Sequence, residues 1–221
     1  YIAAESVQKF KKIVSKIKSK NVKEFIYWPL LNQKEGYWIS PFSERKALLR
    51  IFQELDEKDI PVMLDLELPT TRNPLLYFTQ SPHFLGSKKL IRKFIHHYQG
   101  DIYLAEYYPE GKRSEQMLTA LGLHYVHPNV KIIKMFYRSM HHFSDEFLQG
   151  ELQRGRKEYG SRFIPSFGVI APGIMGNEPV LSPQQLEQDL QIAKKAGMKE
   201  VIVFRLGGLE KEYGKMLKKF S

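Results

Sequence analysis

The sequence predicts an α/β fold of the (β/α)-barrel (TIM-like) type, with an open parallel α/β sheet as the alternative, and three observations predict it. Six short apolar runs recur along the 221 residues, and amphipathic helical patterns lie between them. The segments after the runs, Asn32–Pro41, Thr70–Gly86, Pro109–Ser114 and Pro172–Leu181, are mostly long and carry aromatics, Pro and Gly, whereas the returns from helix to strand are short. Alternating strands and helices imply parallel strands joined by right-handed crossovers. Elaborate loops after the strands are the habit of barrels, whose chemistry sits at the strand C-terminal ends. The length suits one domain with a sizeable core, so residues 1–221 read as a single barrel-like domain.

Each element follows from its pattern. Tyr1–Ser19 reads as an amphipathic helix, because Val7, Phe10, Val14 and Ile17 fall at the spacing of a buried stripe. The strands are Phe25–Leu31, Pro61–Leu68, Asp101–Tyr107, Lys131–Tyr137, Phe163–Ala171 and Glu200–Leu206, each rich in apolar residues as expected when both sheet faces are covered. Ser43–Lys58 is a helix carrying Ala47, Leu48, Ile51, Phe52 and Leu55, and Ser87–Tyr98 another carrying Leu90, Ile91, Phe94 and Ile95. Ser182 followed by Pro183 starts a helix that Ala196 and Gly197 end. Leu121–Val126 lies too close to Lys131 for a parallel crossover and reads as a helix end. Six strands in place of eight predict a barrel that is incomplete, or that continues ahead of Tyr1.

Composition narrows the function classes. Hydrophobic residues at 43% and charged residues at 26% are those of a folded globular chain. The absence of cysteine removes disulfides, thiolate metal sites and a Cys nucleophile together. A net charge of +10 would suit an anionic partner. The lysines crowd the outer faces of the first helix (Lys9, Lys12, Lys16, Lys23) and the last (Lys211, Lys215, Lys218), which reads as solvated surface and disfavours nucleic acid. No apolar run reaches membrane-spanning length, so membrane attachment is expected only through a segment removed ahead of Tyr1. An extracellular or membrane-attached location is favoured over a cytoplasmic one. No GxGxxG or GxxxxGK[ST] loop occurs, and no cofactor is expected. His141 and His142 are adjacent and point apart in an extended chain, without HExxH-like spacing, so no metal is expected either.

The sharpest candidate for chemistry is Asp65 with Glu67. In a strand they point to the same side, and two carboxylates that close raise one another's pKa, as an acid and its helper would need. The structural alternative is that strand-end acids bind loop amides or Arg and Lys. Glu106 ends the next strand and is expected at the same mouth, with Tyr107 as the inward residue if the alternation runs the other way. Tyr137 and Arg138 end the strand after that, and Arg138 can fork onto a carboxylate or phosphate, or form a structural ion pair with Glu106 or Asp65. Trp28, with Tyr37 and Trp38, offers a stacking wall or core packing. Arg205 with Gly207 and Gly208 ends the last strand, where a phosphate could be cradled or a tight turn made.

Asp65-Leu66-Glu67 and Met135-Phe136-Tyr137 together resemble glycoside hydrolase family 18, the chitinase-like (β/α)8 barrels. That family's strand four ends D-x-x-D-x-D-x-E and its strand six often carries M-x-Y-D. Ile60 and Met63 stand where the other two acids of the first motif would be, and Arg138 replaces the last Asp of the second. The resemblance implies a carbohydrate ligand, with Glu67 as the catalytic acid, Asp65 orienting an N-acetyl group and Tyr137 steadying the intermediate. It also implies two barrel strands ahead of Tyr1. The alternatives are a sugar-phosphate barrel enzyme of isomerase or aldolase type, holding phosphate at Arg205, Gly207 and Gly208, and a non-catalytic carbohydrate-binding or scaffold domain.

Overall fold

A computed structural model describes residues 1–69, 73–107, 111–172, 176 and 178–220, without the side chains of 107 and 111–114. The chain divides into two compact units, Tyr1–Lys131 and Ile132–Ser221. Both are α/β, and every described strand pair is parallel.

Unit 1 holds four strands in chain order: β1 (Ile2–Ala4), β2 (Tyr27–Pro29), β3 (Val62–Leu66) and β4 (Ile102–Tyr107). Strand β1 corrects the expectation of one helix over Tyr1–Ser19. Ile2 N–H donates to the Ile26 carbonyl at 2.9 Å, and Ala4 accepts from Leu30 N–H at 3.0 Å. The ladder to β2 thus overrides the helical preference of the two alanines. Helix α1 is confined to Val7–Val14, where the Ser6 hydroxyl caps it by accepting from Lys9 N–H. Seven strands are therefore described where six were expected. The helices after β2 and β3 lie where the periodicity puts them, as α2 (Arg45–Leu55) and, beyond the short α3 (Leu76–Gln80), α4 (Phe84–His97). Helix α5 (Gly111–Leu121) ends at the expected point, and no strand is described over 122–129.

The register of unit 1 sorts its side chains into two faces. Tyr27 pairs with Val62, Val62 with Ile102, Asp65 with Ala105 and Leu66 with Glu106. Paired residues in a parallel sheet share a face, and the faces alternate along each strand. Tyr27, Val62, Leu64, Leu66, Ile102, Leu104 and Glu106 lie on the helix-covered face, where the Tyr27 ring meets Phe10 of α1 at 5.2 Å. Trp28, Met63, Asp65 and Ala105 lie on the other.

Unit 2 begins within β5 (Val130–Met135) and adds β6 (Phe163–Gly168) and β7 (Ile202–Phe204), again in chain order. Helix α6 (Asp145–Tyr159) starts on the Ser144 cap, with acids in its first turn and Arg156 and Lys157 in its last, matching its dipole. Helix α7 (Pro183–Lys195) starts on the expected signal, a reciprocal Ser182–Gln185 capping box with Pro183 in the first turn. Helix α8 (Lys211–Leu217) closes the unit. Gly155 lets α6 lie against β6, since a Cβ there would stand 2.5 Å from the Phe163 ring.

Candidate active site

The end of β3 brings two acids together. Asp65 is the penultimate residue of the strand, on the face away from the helices, and Glu67 follows the strand's last residue. The loop after β2 folds over this end. Ile39 N–H donates to the Asp65 carbonyl at 2.9 Å, taking the place beside β3 that β2 leaves after Pro29. That loop is tied internally: Ser43 donates its hydroxyl to the Trp38 carbonyl at 2.7 Å, and Ser40 N–H donates to Ser43 Oγ at 3.0 Å. Asn32 and Glu35 form a capping box, and Arg50 of α2 grips the Glu35 carboxylate with two bonds of 2.7 and 2.8 Å. The wall beside Asp65 is therefore fixed by its own hydrogen bonds.

Asp65 is 5% exposed and its Oδ1 has no hydrogen-bond partner among the described residues. Its carboxyl lies close enough to that of Glu67 for each to shift the other's ionisation, and Glu67 keeps a part of its surface open. Burial and the neighbouring Glu67 hold the Asp65 carboxyl well above the usual carboxylate range. Burial pushes Glu67 up to about 7, against the hydrogen bond with Asp65, which favours its ionised form. Among the described residues no Lys or Arg is paired with either acid. Such a pair retains a proton near neutrality and can pass it to an oxygen leaving group.

Glu106 lies elsewhere. Its register with Leu66 puts it on the helix-covered face, opposite to Asp65, where it is fully buried. There His124 Nδ1 stands 2.9 Å from both carboxylate oxygens. Sequence reasoning missed His124, although a single His within the apolar run Leu121–Val126 was a visible sign of a buried partner. The Tyr107 side chain lies outside the described residues. Trp28 is half-buried on the Asp65 face, and Trp38 is buried in the loop, edge-on to Tyr37 at 5.2 Å.

In unit 2, Tyr137 lies over β6 and β7, its hydroxyl 3.4 Å from Ser166 Oγ and its ring stacked on Phe204 at 6.0 Å. Arg138 joins two helices. It donates to Asp189 of α7 at 2.8 Å and pairs with Asp145 at the start of α6 at 2.9 Å. Neither acid was a sequence-based candidate. Asp189 sits inside the apolar stripe Leu186, Leu190 and Ala193, which is the signal that could have found it. Burial raises the Asp189 carboxyl to about 6 even though Arg138 pulls it down. Arg205 is exposed. The turn after it uses its donors internally, Gly208 N–H to the Arg205 carbonyl and Leu209 N–H to the Leu206 carbonyl. Packing accounts for Gly208, where a Cβ would fall 1.8 Å from the Ile170 carbonyl oxygen.

No protein-family model and no characterised protein matches the chain. Among solved structures, it is similar to the PgaB (BpsB) glycoside hydrolase domain from Bordetella bronchiseptica, at 10% identity and a TM-score of 0.46, over 91% of this chain and 67% of that one.

Proposed function

We propose that the end of β3 is a carbohydrate-directed acid site, with Glu67 as proton donor and Asp65 beside it, acting on a chain that carries N-acetylated amino sugars. One observation carries the reading: burial raises the pKa of two neighbouring acids, and among the described residues an Asp65 oxygen has no hydrogen-bond partner. Ordinary two-acid glycosidases hold their carboxylates roughly 5–10 Å apart, flanking the bond they cleave, an arrangement that two acids two residues apart at one strand end do not supply. The pair suits a substrate-assisted route instead, in which the sugar's own acetamido group is the nucleophile.

In that route Glu67 gives its proton to the glycosidic oxygen as the C1–O bond breaks, and the electron pair stays on the departing sugar. The acetamido oxygen bonds to C1, with Asp65 Oδ1 accepting from the acetamido N–H. Water then adds to C1, reopening the ring so formed and returning a proton to Glu67. A barrel-type architecture belongs to the same proposal. It is supported by strands that follow one another in chain order within each unit, where a doubly wound sheet would reverse.

The test is release of reducing ends from N-acetylglucosamine oligosaccharides. Glu67→Gln is expected to lower turnover by about 10²–10⁴-fold while glycan binding and fold persist. Turnover by the natural chain is expected to fall as pH rises through about 7, because Glu67 must be protonated to act. Unchanged turnover in Glu67→Gln overturns the catalytic role. Binding without turnover in the natural chain would leave a glycan-binding site in its place.

A further inference from the structure

The segment leading from the candidate site carries a surface that the proposed chemistry does not use. Between Glu67 and Asp101 the chain has no Asp or Glu, but it has five Lys and Arg together with His83, His96 and His97. Leu75, Phe78 and Leu85, all on this segment, are 68%, 80% and 77% exposed. They belong to consecutive helical turns, from Leu75 ahead of α3, through a 3-10 turn at Ser81–His83, into the start of α4. Burying them would remove a considerable apolar area from water.

The exposed face of α4 continues the pattern. Ser87, Ile91 and Ile95 are its buried residues, and Leu85, Lys89, Arg92 and His96 fall on a face turned away from them. The Arg45 guanidinium lies against Gly86, bringing a further cation to the start of the helix. Exposed Leu and Phe bordered by cations, with no acid on the segment, match the requirements of a helix lying in an anionic bilayer interface. A soluble protein partner of ordinary composition would leave the run of cations without counterparts. Among the described residues no helix is long and apolar enough to cross a membrane.

We propose that the 75–96 segment docks the protein onto an anionic phospholipid surface, with Leu75, Phe78 and Leu85 entering the interface and Lys89 and Arg92 facing the headgroups. The inference is independent of the proposed glycan chemistry.

Flotation with vesicles of phosphatidylcholine plus phosphatidylserine, and of phosphatidylcholine alone, tests it. The chain is expected to float with the anionic vesicles and to be released by salt. Binding is expected to fall about tenfold or more in the Leu75→Ser/Phe78→Ser/Leu85→Ser variant, and likewise in Lys89→Glu/Arg92→Glu. Phe78→Ser alone serves if the triple variant fails to fold. No binding to anionic vesicles overturns the proposal. So does binding that the serine variants leave unchanged, since charge alone would then account for it. A dimer abolished by the serine substitutions, with no vesicle binding, would assign the surface to a second copy instead and overturn it equally.

Discussion

Asp65 and Glu106 are buried acids on neighbouring strands, one register step apart, and they differ in what surrounds them. Glu106 faces the helices and has His124 within hydrogen-bond distance of both its oxygens. Asp65 faces the other way, has an oxygen with no hydrogen-bond partner among the described residues, and lies beside a second acid that disfavours its ionisation. A buried acid beside a basic partner is a structural bond whose removal leaves an unsatisfied group. A buried acid beside another acid is a cost to the fold, kept where a held proton is useful. The contrast is what sets the end of β3, the site we propose, apart from the end of β4.

Three measurements test that contrast. Glu106→Ala is expected to cost about 1–3 kcal/mol in denaturant unfolding, because it removes the buried carboxylate that His124 Nδ1 faces at 2.9 Å. A near-neutral result would remove the distinction between the two strands. Glu67→Gln is expected to do the opposite at alkaline pH. The folded chain holds the Glu67 proton up to about 7, whereas the unfolded chain releases it near the ordinary value of 4.5. Stability contributed by the protonated acid is thus full below about 4.5 and lost as pH rises to 7. Glu67→Gln should be more stable than the natural chain at pH ~8, by at most about 3 kcal/mol, and equal to it at pH ~4. Chemical melts at the two pH values decide this, and a variant less stable at both would show that the acids support each other.

The smallest effect concerns Arg138, the partner of the buried Asp189. Arg138→Gln leaves Asp189 buried beside a weaker partner, at a cost of about 2 kcal/mol at pH ~8. Burial holds Asp189 near 6, so at pH ~5 it is mostly protonated and the penalty should shrink. A penalty equal at both pH values would place the contribution of Arg138 in packing rather than in its charge.

Much of the fold was legible because its signals are local. The capping box at Ser182, the apolar stripes of α2 and α4 and the apolar runs of the strands each depend on residues only a few positions apart. Strand β1 was not legible. Three residues of mixed preference become a strand only when β2 offers hydrogen bonds from more than twenty positions away. The partners of Arg138 were hidden for the same reason, since Asp189 lies on a helix beyond the next strand.

The sequence alone put Asp65 and Glu67 two positions apart at the end of an apolar run, and the structure ends β3 between them. The sequence also determined that the stretch from Glu67 to Asp101 is free of acids. Only the tertiary structure decided that Glu106 faces away from Asp65, because the register between strands is set by packing and ladder bonds rather than by either strand alone. The same holds for the proton held at Glu67, since desolvation depends on what the rest of the chain places around a carboxyl.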